Sequence, residues 1–177
     1  MKNSLNTKEL IKAALFAALI IVGSYLIVPL YPVPISLQSL FAIASGYYLK
    51  KNYSNISVAL YIILGLIGLP VFAGGKGGIQ TVFSPTFGYL IGFLLQTFYV
   101  KYQKRNLSTA KLFFMFIIAS LIIYACGVVY MGFYFKFTNK HFDIMKLLFT
   151  GMIIFIPGDV LKAVLFSFVT KRIEKYI

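Results

Sequence analysis

The sequence predicts an all-α membrane protein of six transmembrane helices with both termini in the cytoplasm, and three observations carry that prediction. Of the 177 residues, 60% are hydrophobic and 12% charged, with a mean hydropathy of +0.87, against roughly 45–50% apolar residues in a soluble domain. The apolar residues gather into runs near the ~20 residues that a helix needs to cross a bilayer core. The basic residues gather at the ends of those runs, mostly on every second end.

The first run follows Lys2, Lys8 and Lys12 and has the outline of a signal peptide. It continues into Pro29-Leu30-Tyr31-Pro32 instead of a small-x-small cleavage site, so residues 10–29 read as a retained first span. On it Ala13, Ala14, Ala17 and Ala18 form two overlapping small-xxx-small patterns, which let another helix of this chain or of a partner approach closely. The second span, 35–49, is entered through Pro32-Val33-Pro34 and carries Ser36 and Gln38 at its outer end. Those two supply neutral donors and acceptors to a ligand, or cross-link helices. Spans three to five are 54–69, 86–100 and 112–133. Several spans are short, which leaves room for polar cavities at their ends.

Between spans three and four, on the outer side, lies Gly68–Gly78. Glycines at 74, 75, 77 and 78 permit positive φ and a close approach of backbone N–H groups to a ligand; the alternative is a plain flexible loop. It is no Walker loop, because Gly rather than Ser or Thr follows Lys76. The last apolar stretch, 144–170, is too long for one untilted span and contains Pro157. It divides into a short outer helix or re-entrant piece at 144–155 and a sixth helix at 157–173, opening at the proline.

Counting cations tests this layout. Lys2, Lys8, Lys12, Lys50, Lys51, Lys101, Lys104, Arg105, Lys111, Lys171, Arg172 and Lys175 fall inside, and only Lys76, Lys136, Lys140 and Lys146 outside. The net charge of +13 is therefore a topology signal rather than a nucleic-acid footprint. The chain reads as a single multi-pass membrane domain over 1–177, in contact with lipid.

Lys162 is the one cation inside a span, and Asp159 lies three residues before it, in the first turn of the sixth helix. A helix N-terminus favours a carboxylate there, and i,i+3 spacing puts both side chains on one face. Each charge costs ~3 kcal/mol on insertion scales, so the pair marks either a working site or a self-neutralising structural bridge. Catalytic signatures are missing. His141 is the lone histidine, Cys126 the lone cysteine, and a paired-aspartate protease needs a second intramembrane Asp. No metal site, cofactor or enzymatic activity is expected.

Four motifs, in order along the chain, are Val33-Pro34-Ile35-Ser36-Leu37-Gln38; Gly65 to Gly78 with its Gly-Gly-x-Gly-Gly core; Ser84-Pro85-Thr86-x-Gly88-Tyr89; and Phe155-Ile156-Pro157-Gly158-Asp159-x-x-Lys162. Together they closely resemble the BioY family, the biotin-specific substrate-capture subunits (S-components) of energy-coupling factor (ECF) transporters. The resemblance covers essentially the whole chain. It departs at Lys76, in the middle of the glycine motif, and at Phe87, where a small residue is usual before Gly88.

The resemblance implies an S-component-like bundle in the bacterial cell membrane, with biotin held near the outer face. It implies as partners a transmembrane coupling subunit, meeting the alanine face of span one, and two cytoplasmic ATPases. Biotin offers two ureido N–H donors, one carbonyl, an apolar thioether ring and an anionic tail. Asp159 suits the N–H groups, Lys162 the carbonyl, Phe72 and Tyr89 the ring, and Gln38 and Lys76 the tail, with Gly74 and Gly75 bringing backbone close. An S-component for another small vitamin, and less so a stand-alone membrane enzyme, are the competing readings.

Overall fold

Prolines and capping residues decide where the helices begin and stop. In a computed structural model that describes residues 6–30, 32–50, 52–139 and 143–176, α1 runs Thr7–Tyr25 behind Asn6, whose side chain accepts the Lys8 N–H at 3.0 Å. Lys2, Lys51, Lys140 and His141 lie outside the described residues. α1 ends before the apolar run does, because the chain turns into a small antiparallel hairpin. Its strands β1 (Ile27–Val28) and β2 (Ile35–Ser36) pair Ile27 with Ser36 and Val28 with Ile35. Pro29, Pro32 and Pro34 stand where a helix interior would reject them. The hairpin also delays the second helix: α2 is Gln38–Tyr48 rather than 35–49, since residues 35 and 36 are held in the ladder.

α3 spans Asn52–Leu66, a 3₁₀ turn Ile79–Phe83, and α4 Phe87–Val100. α5, Thr109–Phe137, starts on a Ser108 cap and has 29 residues, ~43 Å at 1.5 Å per residue, longer than the 112–133 expected. α6 (Ile144–Gly151) is capped by Asp143, whose side chain accepts the Met145 N–H at 3.0 Å. A 3₁₀ turn over Ile153–Phe155 leads into α7, Ile156–Ile173, with Pro157 in its first turn.

Polarity is arranged for a bilayer. Ser45, Ser54, Ser57, Gln96, Thr97 and Ser167 are fully buried, whereas Leu15, Val22, Ile63, Phe114, Phe133, Leu161 and Phe168 are more than half exposed. An apolar exterior of that extent is the mark of a lipid-facing surface. The helical stretches Thr109–Phe137 and Ile144–Ile173 are long and apolar enough to cross a membrane.

α4 and α5 share the most extensive interface, and glycine makes it possible. A Cβ on Gly92 would lie 2.7 Å from the Ile123 Cα, closer than real Cβ atoms come to backbone. At the end away from the hairpin, α2 and α7 are tied by Tyr47 Oη donating to Glu174 Oε1 at 2.6 Å and Tyr48 Oη to Thr170 Oγ1 at 2.9 Å. Burial works against ionisation of Glu174, but bonds from Lys171 and Tyr47 outweigh it and hold its carboxyl below the ordinary value.

Gly92→Ala is expected to destabilise the fold by about 1–3 kcal/mol through overpacking, seen as a lowered melting temperature in detergent. Gly132→Ala, where the added methyl meets only the Leu147 Cδ2 at 3.7 Å, should leave the melting temperature unchanged or raised.

Candidate functional site

Pro157 pre-sets the first turn of α7 and so places Asp159 near the partial positive charge of the helix start. Asp159 is 4% and Lys162 6% exposed. Lys162 Nζ lies 2.6 Å from Asp159 Oδ1. It also donates to the Ser36 backbone O at 2.7 Å and to Ser39 Oγ at 3.0 Å, so all three ammonium protons are used. Tyr124 Oη of α5 donates to Asp159 Oδ2 at 2.5 Å. Two buried charges thus join the hairpin, α2, α5 and α7. The ammonium is saturated, while each carboxylate oxygen retains accepting capacity.

The pair lines a cavity that encloses ≈ 780 Å³ with its open mouth included. Phe72, Tyr89, Phe93, Tyr124 and Phe155 supply the aromatic part of its walls. The rings of Tyr124 and Phe155 stack with centroids 6.1 Å apart, and Tyr89 meets Phe155 edge-on at 6.2 Å. Phe72 lies edge-on to Tyr61 at 5.5 Å. Tyr89 Oη donates to the Gly151 carbonyl at 2.8 Å and holds the end of α6 beside the cavity. A wider vestibule lies beside this cavity, with non-atom space of ≈ 1410 Å³ including open solvent; Pro34, Ala73, Lys76, Thr81 and Thr86 line both.

Of the residues singled out in the sequence, Asp159, Lys162, Gln38, Phe72, Lys76 and Tyr89 line the inner cavity together. Gly74 and Gly75 line the vestibule instead. Both adopt positive φ, of 77° and 71°, but their amides are already committed, Gly74 N to the Ser24 carbonyl and Gly75 N to the Phe72 carbonyl. Their part is to close the turn that pairs Phe72 with Lys76, not to offer N–H groups. Gln38 is bound into the charged end: its Oε1 accepts Ser36 Oγ at 2.9 Å and its amide donates to Tyr61 Oη. The tail role that the sequence suggests for it does not fit this position. The four alanines do not act as one face, since Ala13 and Ala17 are buried within the chain and Ala14 and Ala18 are exposed. Tyr124 and Ser39 also line the cavity but belong to none of the four motifs, whereas Phe155 opens the fourth. Only the placement of Tyr124 one turn beyond Ser120 in an apolar helix hinted at a polar seam.

Among the described residues no group of three or more His, Cys, Asp or Glu could hold a metal ion. Fold and site define a helical membrane protein built around a small-molecule cavity with an acceptor at its charged end. The chain belongs to the BioY family, whose model matches residues 1–177. A Thermotoga maritima protein named Biotin transporter BioY is 40% identical over 169 residues, covering 95% of this chain and 96% of that one. A Lactococcus lactis subsp. cremoris protein of the same name is 32% identical over 180 residues, 99% of this chain and 95% of the other. The 2.1 Å crystal structure of the S-component for biotin from an ECF-type ABC transporter superposes with a TM-score of 0.77 at 30% identity, over 99% of this chain and 95% of that one.

Lys162→Met strands a buried carboxylate and is expected to cost about 3–5 kcal/mol of stability. Combining it with Asp159→Asn should recover at least half of that loss in thermal unfolding. Simple addition of the two single effects would mean that the charges are not coupled.

Proposed function

We propose that this protein captures biotin at its outer face as the S-component of an ECF-type ABC transporter, and thereby serves biotin uptake across a bacterial cell membrane. The observation that carries the proposal is the Asp159 carboxylate, buried, held by Lys162 and Tyr124, and lining an aromatic cavity. A ureido ring needs such a group: two N–H donors that meet a preorganised acceptor, with apolar walls for the fused thioether ring. Family membership and the biotin-named relatives support the same ligand.

In this reading Asp159 accepts from the ureido N–H groups and Tyr89, Phe72 and Phe155 pack the rings. Lys162 reaches the ureido oxygen only by releasing an acceptor, and Ser39 Oγ, the longest of its three bonds at 3.0 Å, is the one to exchange. Lys76, toward the vestibule, takes the anionic tail. The chain forms one membrane domain of six spans with both termini cytoplasmic, as the uneven distribution of Lys and Arg favours. The chain contains no ATP-binding motif, so energy comes from partners or from a gradient; the S-component reading assigns it to partners, a transmembrane coupling subunit and two ATPases. Of the two alanine rows only Ala14 and Ala18 are open to such a coupling subunit.

Equilibrium binding to purified protein with biotin, riboflavin and thiamine tests the ligand. Tight binding of biotin alone is expected, and Asp159→Asn should weaken it about 10–100-fold, the worth of a charge-assisted hydrogen bond. Tyr124→Phe should weaken it less while leaving the protein folded. Biotin affinity unchanged in Asp159→Asn, or preferential binding of another vitamin, would refute the assignment.

A further inference from the structure

Within the five residues Gly74-Gly75-Lys76-Gly77-Gly78 only one carries a side chain beyond hydrogen, and its position is fixed. Phe72 N donates to the Lys76 carbonyl at 2.8 Å and Lys76 N to the Phe72 carbonyl at 3.2 Å. Phe72 itself is 3% exposed and seated against Tyr61. This anchor sets Lys76 where the inner cavity meets the vestibule, lining both. Its ammonium has no hydrogen bond or ion pair among the described residues.

Nothing acidic competes for it. The chain has four acids: Asp159 is engaged by Lys162, Asp143 caps α6, Glu9 pairs with Lys12 and Lys50, and Glu174 pairs with Lys171. No Asp or Glu lines the vestibule. The charged end of the cavity is self-neutralised, so among the described residues that line the cavity and vestibule the uncompensated charge is the Lys76 ammonium. The vestibule is also wide and open, and does not stop a ligand whose tail is extended.

We infer that Lys76 makes this carrier select its ligand by the charge of the tail and not by its length: free carboxylates are held, and neutral tail conjugates enter but bind weakly. The inference rests on biotin as the ligand and adds the chemical class of tail that the site accepts. Lys76 is exposed, and a solvent-facing positive charge that meets an anion discriminates against a neutral analogue by up to about fivefold, and less at high salt.

The test is equilibrium binding of biotin, biotinamide and N-hexyl biotinamide to the full chain in lipid nanodiscs, as wild type, Lys76→Gln and Lys76→Glu. Wild type at low salt should bind biotin up to about fivefold more tightly than either amide, with the two amides alike. Lys76→Gln should bring the three ligands together by weakening biotin alone, and Lys76→Glu should place biotin below the amides. Unaltered amide affinity in both variants reports an intact cavity. Discrimination that persists in Lys76→Gln, or a hexylamide bound far more weakly than the amide, overturns the charge filter while leaving biotin capture standing. Absence of biotin binding to wild type overturns the assignment of the ligand, and the filter with it.

Discussion

A carboxylate and an ammonium removed from water must find every hydrogen bond they need inside the protein, and this requirement organises the hairpin end of the molecule. Lys162 meets it with three acceptors from three parts of the chain: Asp159 one turn earlier, the Ser36 carbonyl in the hairpin and Ser39 Oγ in α2. Asp159 meets it with Lys162 and the Tyr124 hydroxyl. The hairpin cannot leave, α2 cannot start elsewhere and α5 cannot rotate without stranding one of these groups. What satisfies the ion pair therefore also shapes the cavity, and it leaves accepting capacity on Asp159.

The same two helices, α2 and α7, are tied again at their far ends through Tyr47, Tyr48, Thr170 and Glu174. Between the ties, Tyr47 and Tyr48 meet the Phe166 ring edge-on at 5.8 and 6.4 Å. Helices fixed at both ends give the cavity a rigid wall. The loops on the other side are held differently, by backbone pairing across Phe72 and Lys76 and by the burial of Phe72. A rigid wall bearing the ion pair faces a loop-built mouth bearing a free cation, which suits a ligand that is polar at both ends and apolar between.

Much of this was legible in the sequence because it follows from local physics. Pro157 marks the start of α7 to within one residue, and i,i+3 spacing alone brings Asp159 to Lys162. Phe72, Tyr89 and Lys76 all line the cavity. The illegible parts are those decided across the chain. Strands of two residues leave no periodic signal, so the hairpin and its shortening of α1 and α2 were invisible. Ser36 and Ser39 lie 126 and 123 residues from the lysine they serve. The glycine loop showed that φ can be positive at Gly74 and Gly75, but not that their amides bond to Ser24 and Phe72. Helical spacing placed four alanines close together without revealing that one row of two is buried and the other open.

If one buried cluster both locks the fold and reads the ligand, a high-resolution structure of the protein with biotin bound will show the ureido nitrogens within hydrogen-bond distance of Asp159, Tyr124 still on the other oxygen of that carboxylate, and Lys162 still on the Ser36 carbonyl. A ureido ring bound away from Asp159, or a bound state in which Lys162 has left Ser36 altogether, would contradict that double role.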